Sequence, residues 1–139
     1  MRTMTAKEYL SQYRKLNSEI DSLCEDLQRL RSLSTRTSSG QYSPGRKSGC
    51  AQEASFVRVV PKIIRLEIKI NRKTDELLVI QDKIEKAINA VQDGTLSALL
   101  RYRYICCLSW EKVAEKLNYS VDYVKGNLHG QALKNINTQ

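Results

Sequence analysis

This 139-residue chain has little of what enzymes and disulfide-bonded proteins are built from: one His, one Trp, one Phe, two Pro and four Cys. The single His129 has no Ser or Cys partner at a recognisable spacing. With no Walker-type glycine loop and no cluster of metal ligands either, the usual parts for nucleophilic, phosphoryl-transfer or metal-assisted catalysis are missing. The expectation is a protein that is not an enzyme and needs no cofactor. Cys24, Cys50, Cys106 and Cys107 do not form the paired spacings of a disulfide framework or a zinc site, and are read as reduced thiols. Cys106 and Cys107 sit in an apolar stretch that reads as helical, where packing is their expected role. No window reaches the roughly 18–20 apolar residues of a membrane span, and Met1–Glu8 carries no apolar leader segment. These absences place the expected protein in the cytoplasm, away from any membrane.

What the chain does have is aliphatic side chains and charge. It is 41% hydrophobic and 27% charged, a globular balance, and its wealth of Leu, Ile and Val over aromatics favours helices packed through aliphatic seams. The formal charge is +8, from 23 Lys and Arg against 15 Asp and Glu. Segments 1–33, 34–55, 56–92 and 93–139 carry 6, 3, 8 and 6 basic residues against 5, 1, 5 and 4 acidic ones. A polyanionic partner suits such an excess, but its thin spread along the chain locates no site.

Periodicity organises the first two-thirds of the chain. Tyr9, Tyr13, Leu16, Ile20, Leu23, Leu27 and Leu30 recur at alternating steps of four and three, the a/d rhythm of a coiled coil. Thr5 with Glu8 three residues on has the spacing of a capping box, and the rhythm stops at a Ser/Gly-rich segment, 34–55, which reads as a loop. A second seam follows in Phe56, Ile63, Ile70, Leu77, Ile84 and Val91, seven apart, with Val59, Leu66, Ile80 and Ala87 between them and Lys73 as the one polar break. Pro61 predicts a start or a kink near Val60. Residues 1–92 therefore predict a long antiparallel helical hairpin. Its seams serve as packing surface, and a face left over invites a homodimer or higher oligomer.

Residues 93–139 predict a compact unit. Asp93 and Gly94 end the long helix, and Thr95–Tyr104 reads as a short helix burying Leu96, Leu99 and Leu100. Ser109 caps a helix with an apolar face of Trp110, Val113, Ala114 and Leu117. Ser120 caps another, with Val121, Val124, Leu128, Ala132 and Ile136 inward. Two helices joined by a three-residue turn form a helix-turn-helix, whose second helix can enter a major groove. On that helix Asp122, Tyr123, Lys125, Gly126 and Asn127 are expected to face outward, beside Ser120, as the DNA-reading positions. Arg101, Arg103, Lys112, Lys116 and His129 are candidate phosphate contacts, and Gly130 reads as a site of close packing. The plainer alternative is a three-helix bundle with a solvated outer face. Asp122 favours it, since a carboxylate repels phosphate, unless Asp122 accepts from cytosine or complements the helix N-terminus.

A family resemblance rests on these residues. Leu99–Tyr104, Leu108-Ser109-Trp110-Glu111-Lys112-Val113-Ala114-Glu115-Lys116-Leu117, Tyr119–Val124 and Leu128-His129-Gly130-Gln131-Ala132-Leu133 resemble region 4 of sigma-70-type factors. With Thr5–Leu10, the Ser-rich segment and the long second helix, nearly the whole chain resembles the phage and prophage sigma-70-region-4-like regulators of Gram-positive bacteria, the ArpU/RinA type. Against that pattern the last helix has one residue more between Val124 and His129, and Lys125-Gly126-Asn127 stands where such helices are richer in Arg. Nothing resembles the parts of a complete sigma factor that grip core polymerase or melt a promoter.

The resemblance implies a sequence-specific regulator that binds double-stranded DNA and acts with host RNA polymerase, the hairpin serving oligomerisation or polymerase contact. Two other classes fit the same pattern. One is a small terminase-like subunit that binds DNA for packaging; the other is a protein–protein interaction module that never touches DNA.

Overall fold

The computed structural model describes residues 3–38 and 49–137, with side chains described for 3–35 and 57–137. All elements among these residues are helices, and no strand occurs among them. No helix among the described residues is long and apolar enough to cross a membrane.

Helix α1 spans Ala6–Ser38. Its start is the capping box that the sequence indicates: Thr5 Oγ1 accepts from the Glu8 amide at 3.2 Å, and a Glu8 carboxylate oxygen accepts from the Thr5 amide at 3.0 Å. Helix α2 spans Gly49–Asn89. The predicted loop over 34–55 is therefore cut back at both ends. Ser and Thr do not halt α1 at Leu33, because a hydroxyl can bond inside a helix; that of Thr35 donates to the Arg31 carbonyl at 2.9 Å. Residues 39–48, the remainder of the predicted loop, lie outside the described residues. Nor does α2 begin at Val60. It runs through Pro61, which is exposed, so the carbonyl released by the missing N–H is left on the solvent side.

The chain divides into two compact units, Ser18–Asp75 and Met1–Asn17 with Glu76–Gln139. In the Ser18–Asp75 unit the seam positions turn away from solvent: Ile20 is buried, and Leu23, Leu27, Leu30, Val59, Ile63, Leu66 and Ile70 are partly so. The polar break at Lys73 has a partner, the Glu19 carboxylate, 2.8 Å from its ammonium. That bond, with the charges of Lys73 and Lys69, holds Glu19 below the usual carboxylate range. Arg31 pairs with Glu67 at 2.7 Å.

In the other unit the core is continuous. Leu10 of α1 and Ile84, Ile88 and Val91 from the end of α2 and just after it join Leu99, Leu100, Tyr104, Val113, Val124 and Ala132 in one buried cluster. Asp93 Oδ1 caps α3 (Gly94–Leu100) by accepting from the Thr95 and Leu96 amides at 2.9 and 3.1 Å. Helix α3 passes directly into a wide turn at Arg101–Ile105, closed by the Cys106 amide on the Arg101 carbonyl at 2.9 Å. Two further helices follow: α4 (Trp110–Leu117), and α5, which consists of the consecutive stretches Val121–Tyr123, Val124–Leu128 and His129–Lys134.

Candidate nucleic-acid interface

The turn between α4 and α5 is built by three residues with distinct tasks. Asn118 takes left-handed backbone angles, φ 61° and ψ 40°, which Asn tolerates better than most residues. Its amide and that of Tyr119 close the last turn of α4 on the carbonyls of Glu115 and Ala114, at 3.3 and 3.2 Å. Ser120 then opens α5, its hydroxyl accepting from the Tyr123 amide at 3.2 Å. With both ends capped, the orientation of α5 is set by its apolar face. Val124, Leu128 and Ala132 are buried, and Val121, Leu133 and Ile136 pack against the same cluster.

The opposite face of α5 is open. Asp122, Tyr123, Lys125, Gly126 and Asn127 are all exposed, as is Ser120 before them, so the six expected reading positions share one accessible surface. Lys125 is the only cation among them and Asp122 the only anion. Such a surface has hydrogen-bonding capacity and almost no net charge.

Val124–Leu128 forms a wide turn in which the His129 amide reaches back five residues to the Val124 carbonyl, the way a helix admits one residue without breaking. This turn carries His129 onto the inner face, where it is 8% exposed. The proposed phosphate contact at His129 is thereby overturned, because the ring is buried and already engaged. Its Nε2 lies 2.6 Å from the Tyr104 hydroxyl, and the Trp110 ring meets it edge-on at 4.7 Å between centroids. Burial, with the positive charges of Lys7 and Arg103, lowers the His129 pKa to about 4, and burial raises that of Tyr104. Both shifts favour neutral rings sharing one hydrogen bond.

The other candidates divide. Lys112 and Lys116 are exposed on α4, the Lys116 ammonium 5.6 Å from the Tyr102 ring centroid. Arg101 is exposed and bonds the Asn89 side chain. Arg103 turns inward: its guanidinium lies 4.4 Å from the Trp110 ring centroid and donates to the Leu108 carbonyl at 2.9 Å. It braces the junction of α3 and α4 while staying half-buried. Gly130 is not a packing site, since it is exposed and a methyl group there would meet nothing within 4 Å. Cys106 and Cys107 stand past the end of the wide turn, not inside a helix. Cys106 is exposed, and Cys107 has a φ of 56°.

Two exposed side chains were not singled out by sequence. Tyr119 is 48% exposed and stands beside Tyr123, 41% exposed, with ring centroids 5.3 Å apart. Gln131 donates to Asn127 Oδ1 at 2.6 Å, setting two amides side by side on the outer face of α5. The step of four from Asn127 to Gln131 was the available signal. Comparison of the chain with protein-family models, with curated proteins and with solved structures finds no match.

Proposed function

We propose that the chain is a sequence-specific DNA-binding regulator of the phage or prophage kind, with α4, the Asn118–Ser120 turn and α5 acting as a helix-turn-helix. The observation that carries this reading is the open outer face of α5. A doubly capped three-residue turn and a fully packed inner face hold that surface rigidly, which lets a helix present base-reading side chains to a major groove. Asn127 and Gln131 are amides of the type that pairs with adenine edges. Lys125 suits guanine or phosphate, while Tyr119, Ser120 and Tyr123 suit backbone contacts. The role with host RNA polymerase rests on the resemblance to region 4 of sigma-70-type factors.

The long helices belong to the same proposal as an antiparallel hairpin. Their two cross-helix ion pairs support it: going from Glu19 to Arg31 along α1, the partners on α2 step backwards from Lys73 to Glu67.

Selection of bound duplexes from a random pool tests the function directly. A recovered motif that degrades on Asn127→Ala, with a uniformly weaker and less salt-dependent affinity on Lys125→Gln, is the expected result. Failure of every duplex to bind at low salt would remove the proposal. Binding that ignores both substitutions would move the role of α5 to a protein partner.

A further inference from the structure

The basic excess that looks diffuse along the sequence becomes ordered once α2 is seen as one helix. Arg58, Lys62, Arg65, Lys69 and Arg72 follow one another at steps of four, three, four and three, so they lie on a single face, and all five are exposed. Between Arg58 and Arg72 the only carboxylate is Glu67, and it is engaged by Arg31. Among the described residues no carboxylate forms a salt bridge with the five cations, although the charge of Lys69 acts on Glu19; Arg65 donates a hydrogen bond from Nε to the Pro61 carbonyl at 3.3 Å. Fourteen helical steps from Arg58 to Arg72 place the five charges along about 21 Å, a length over which one strand of a duplex carries about six phosphates.

From this we infer that the Arg58–Arg72 stripe of α2 is a second, sequence-blind contact surface for the phosphate backbone of duplex DNA. The stripe lacks the parts for gripping single strands. From Val57 to Gln92 there is no Phe, Tyr or Trp, so the aromatic platforms on which proteins stack single-stranded bases are missing. An anionic lipid surface is the nearest competitor, since Val57, Ile64 and Ile68 beside the stripe are 65, 50 and 48% exposed. That apolar strip is short, is bounded by the polar Asn71 and Asp75 at the next steps, and lacks the aromatic anchors of interfacial helices. The unbroken feature is the charge, and charge without stacking or insertion matches a duplex backbone. The stripe shares its partner with the proposed function, yet it does not depend on which bases α5 touches.

The test is the triple variant Lys62→Gln/Arg65→Gln/Lys69→Gln in the full chain, checked for retained helicity by circular dichroism. The slope of log affinity against log salt is measured for a duplex of arbitrary sequence. Loss of three phosphate contacts flattens that slope by about 2.7, so the affinity change between 50 and 200 mM salt shrinks by about 40-fold. Lys125→Gln, measured alongside, separates the two surfaces: if only the triple variant responds, the stripe stands and Lys125 makes no phosphate contact on such a duplex. An unchanged slope in a folded triple variant overturns the inference. So does a lost affinity for phosphatidylserine vesicles with unchanged duplex binding, which would assign the stripe to membranes.

Discussion

His129 and Tyr104 form a neutral polar pair inside an otherwise apolar core, and their chemistry makes the fold sensitive to acid. The folded His129 holds its proton with a pKa of about 4, while the unfolded residue titrates near 6.5. Between those values the unfolded chain takes up a proton that the folded chain refuses, so stability is full above pH 6.5 and declines towards pH 4 by as much as about 3 kcal/mol. Urea titrations at pH 7.5, 5.5 and 4.5 measure the decline, and His129→Leu is expected to abolish this part of it. The same substitution leaves the buried Tyr104 hydroxyl without its hydrogen-bond partner, at a cost of about 1–3 kcal/mol at neutral pH. If wild type and variant lose stability in parallel below pH 6.5, the ring is not held neutral in the fold.

Among the elements, α5 is the one whose local signals matter most to the proposed site. Ser120 satisfies an amide of its first turn, so Ser120→Ala is expected to cost about 1 kcal/mol, read as a lowered thermal midpoint with unchanged DNA sequence preference. Gly130 has helical backbone and open space around it, and Gly130→Ala should stabilise the fold by about 0.5–1 kcal/mol. Destabilisation by that substitution would mean that the site is packed after all. Asp93 read only as the end of the long helix, whereas the caps at Thr5, Ser109 and Ser120 were legible in sequence because each is a local match between a side chain and the next few amides. The wide turn at Val124–Leu128 was not. A five-residue step differs little from helical spacing in composition, and only the packing of Val124, Leu128 and His129 on one side reveals it.

For the whole molecule, the core of the C-terminal helices is shared with distant chain. Leu10 is fully buried in the cluster that also holds Val113 and Val124, more than one hundred residues away in sequence. Leu10→Ala is therefore expected to destabilise the unit containing α5 by about 2–5 kcal/mol, and hydrogen exchange at the α4 and α5 amides should rise with it. Exchange confined to α1 would show that the two ends of the chain are energetically separate. In the Ser18–Asp75 unit, Leu23→Glu places a carboxylate among seam residues, and a loss of helicity there measures the seam's contribution.

Sequence alone determined the helical character of most of the chain, the caps at Thr5, Ser109 and Ser120 and which stripe of each helix turns inward, because these follow from short-range spacing and from hydrogen bonds within a turn; the ends of α1 and α2 beside the Ser/Gly-rich segment escaped it. It also showed that the outer face of α5 carries Asp122, Tyr123, Lys125, Gly126 and Asn127, since an apolar stripe leaves its opposite face to solvent. Tertiary structure alone decided the fate of individual polar groups. His129 and Arg103 read in sequence as ligands for phosphate, yet the His129 ring is buried and the half-buried Arg103 guanidinium is engaged by the Trp110 ring and the Leu108 carbonyl. The cations of α2 read as diffuse, yet one unbroken helix through Pro61 sets them in a line. Burial and alignment depend on which surfaces meet and on where a helix continues, and both are set by packing across residues far apart in the chain.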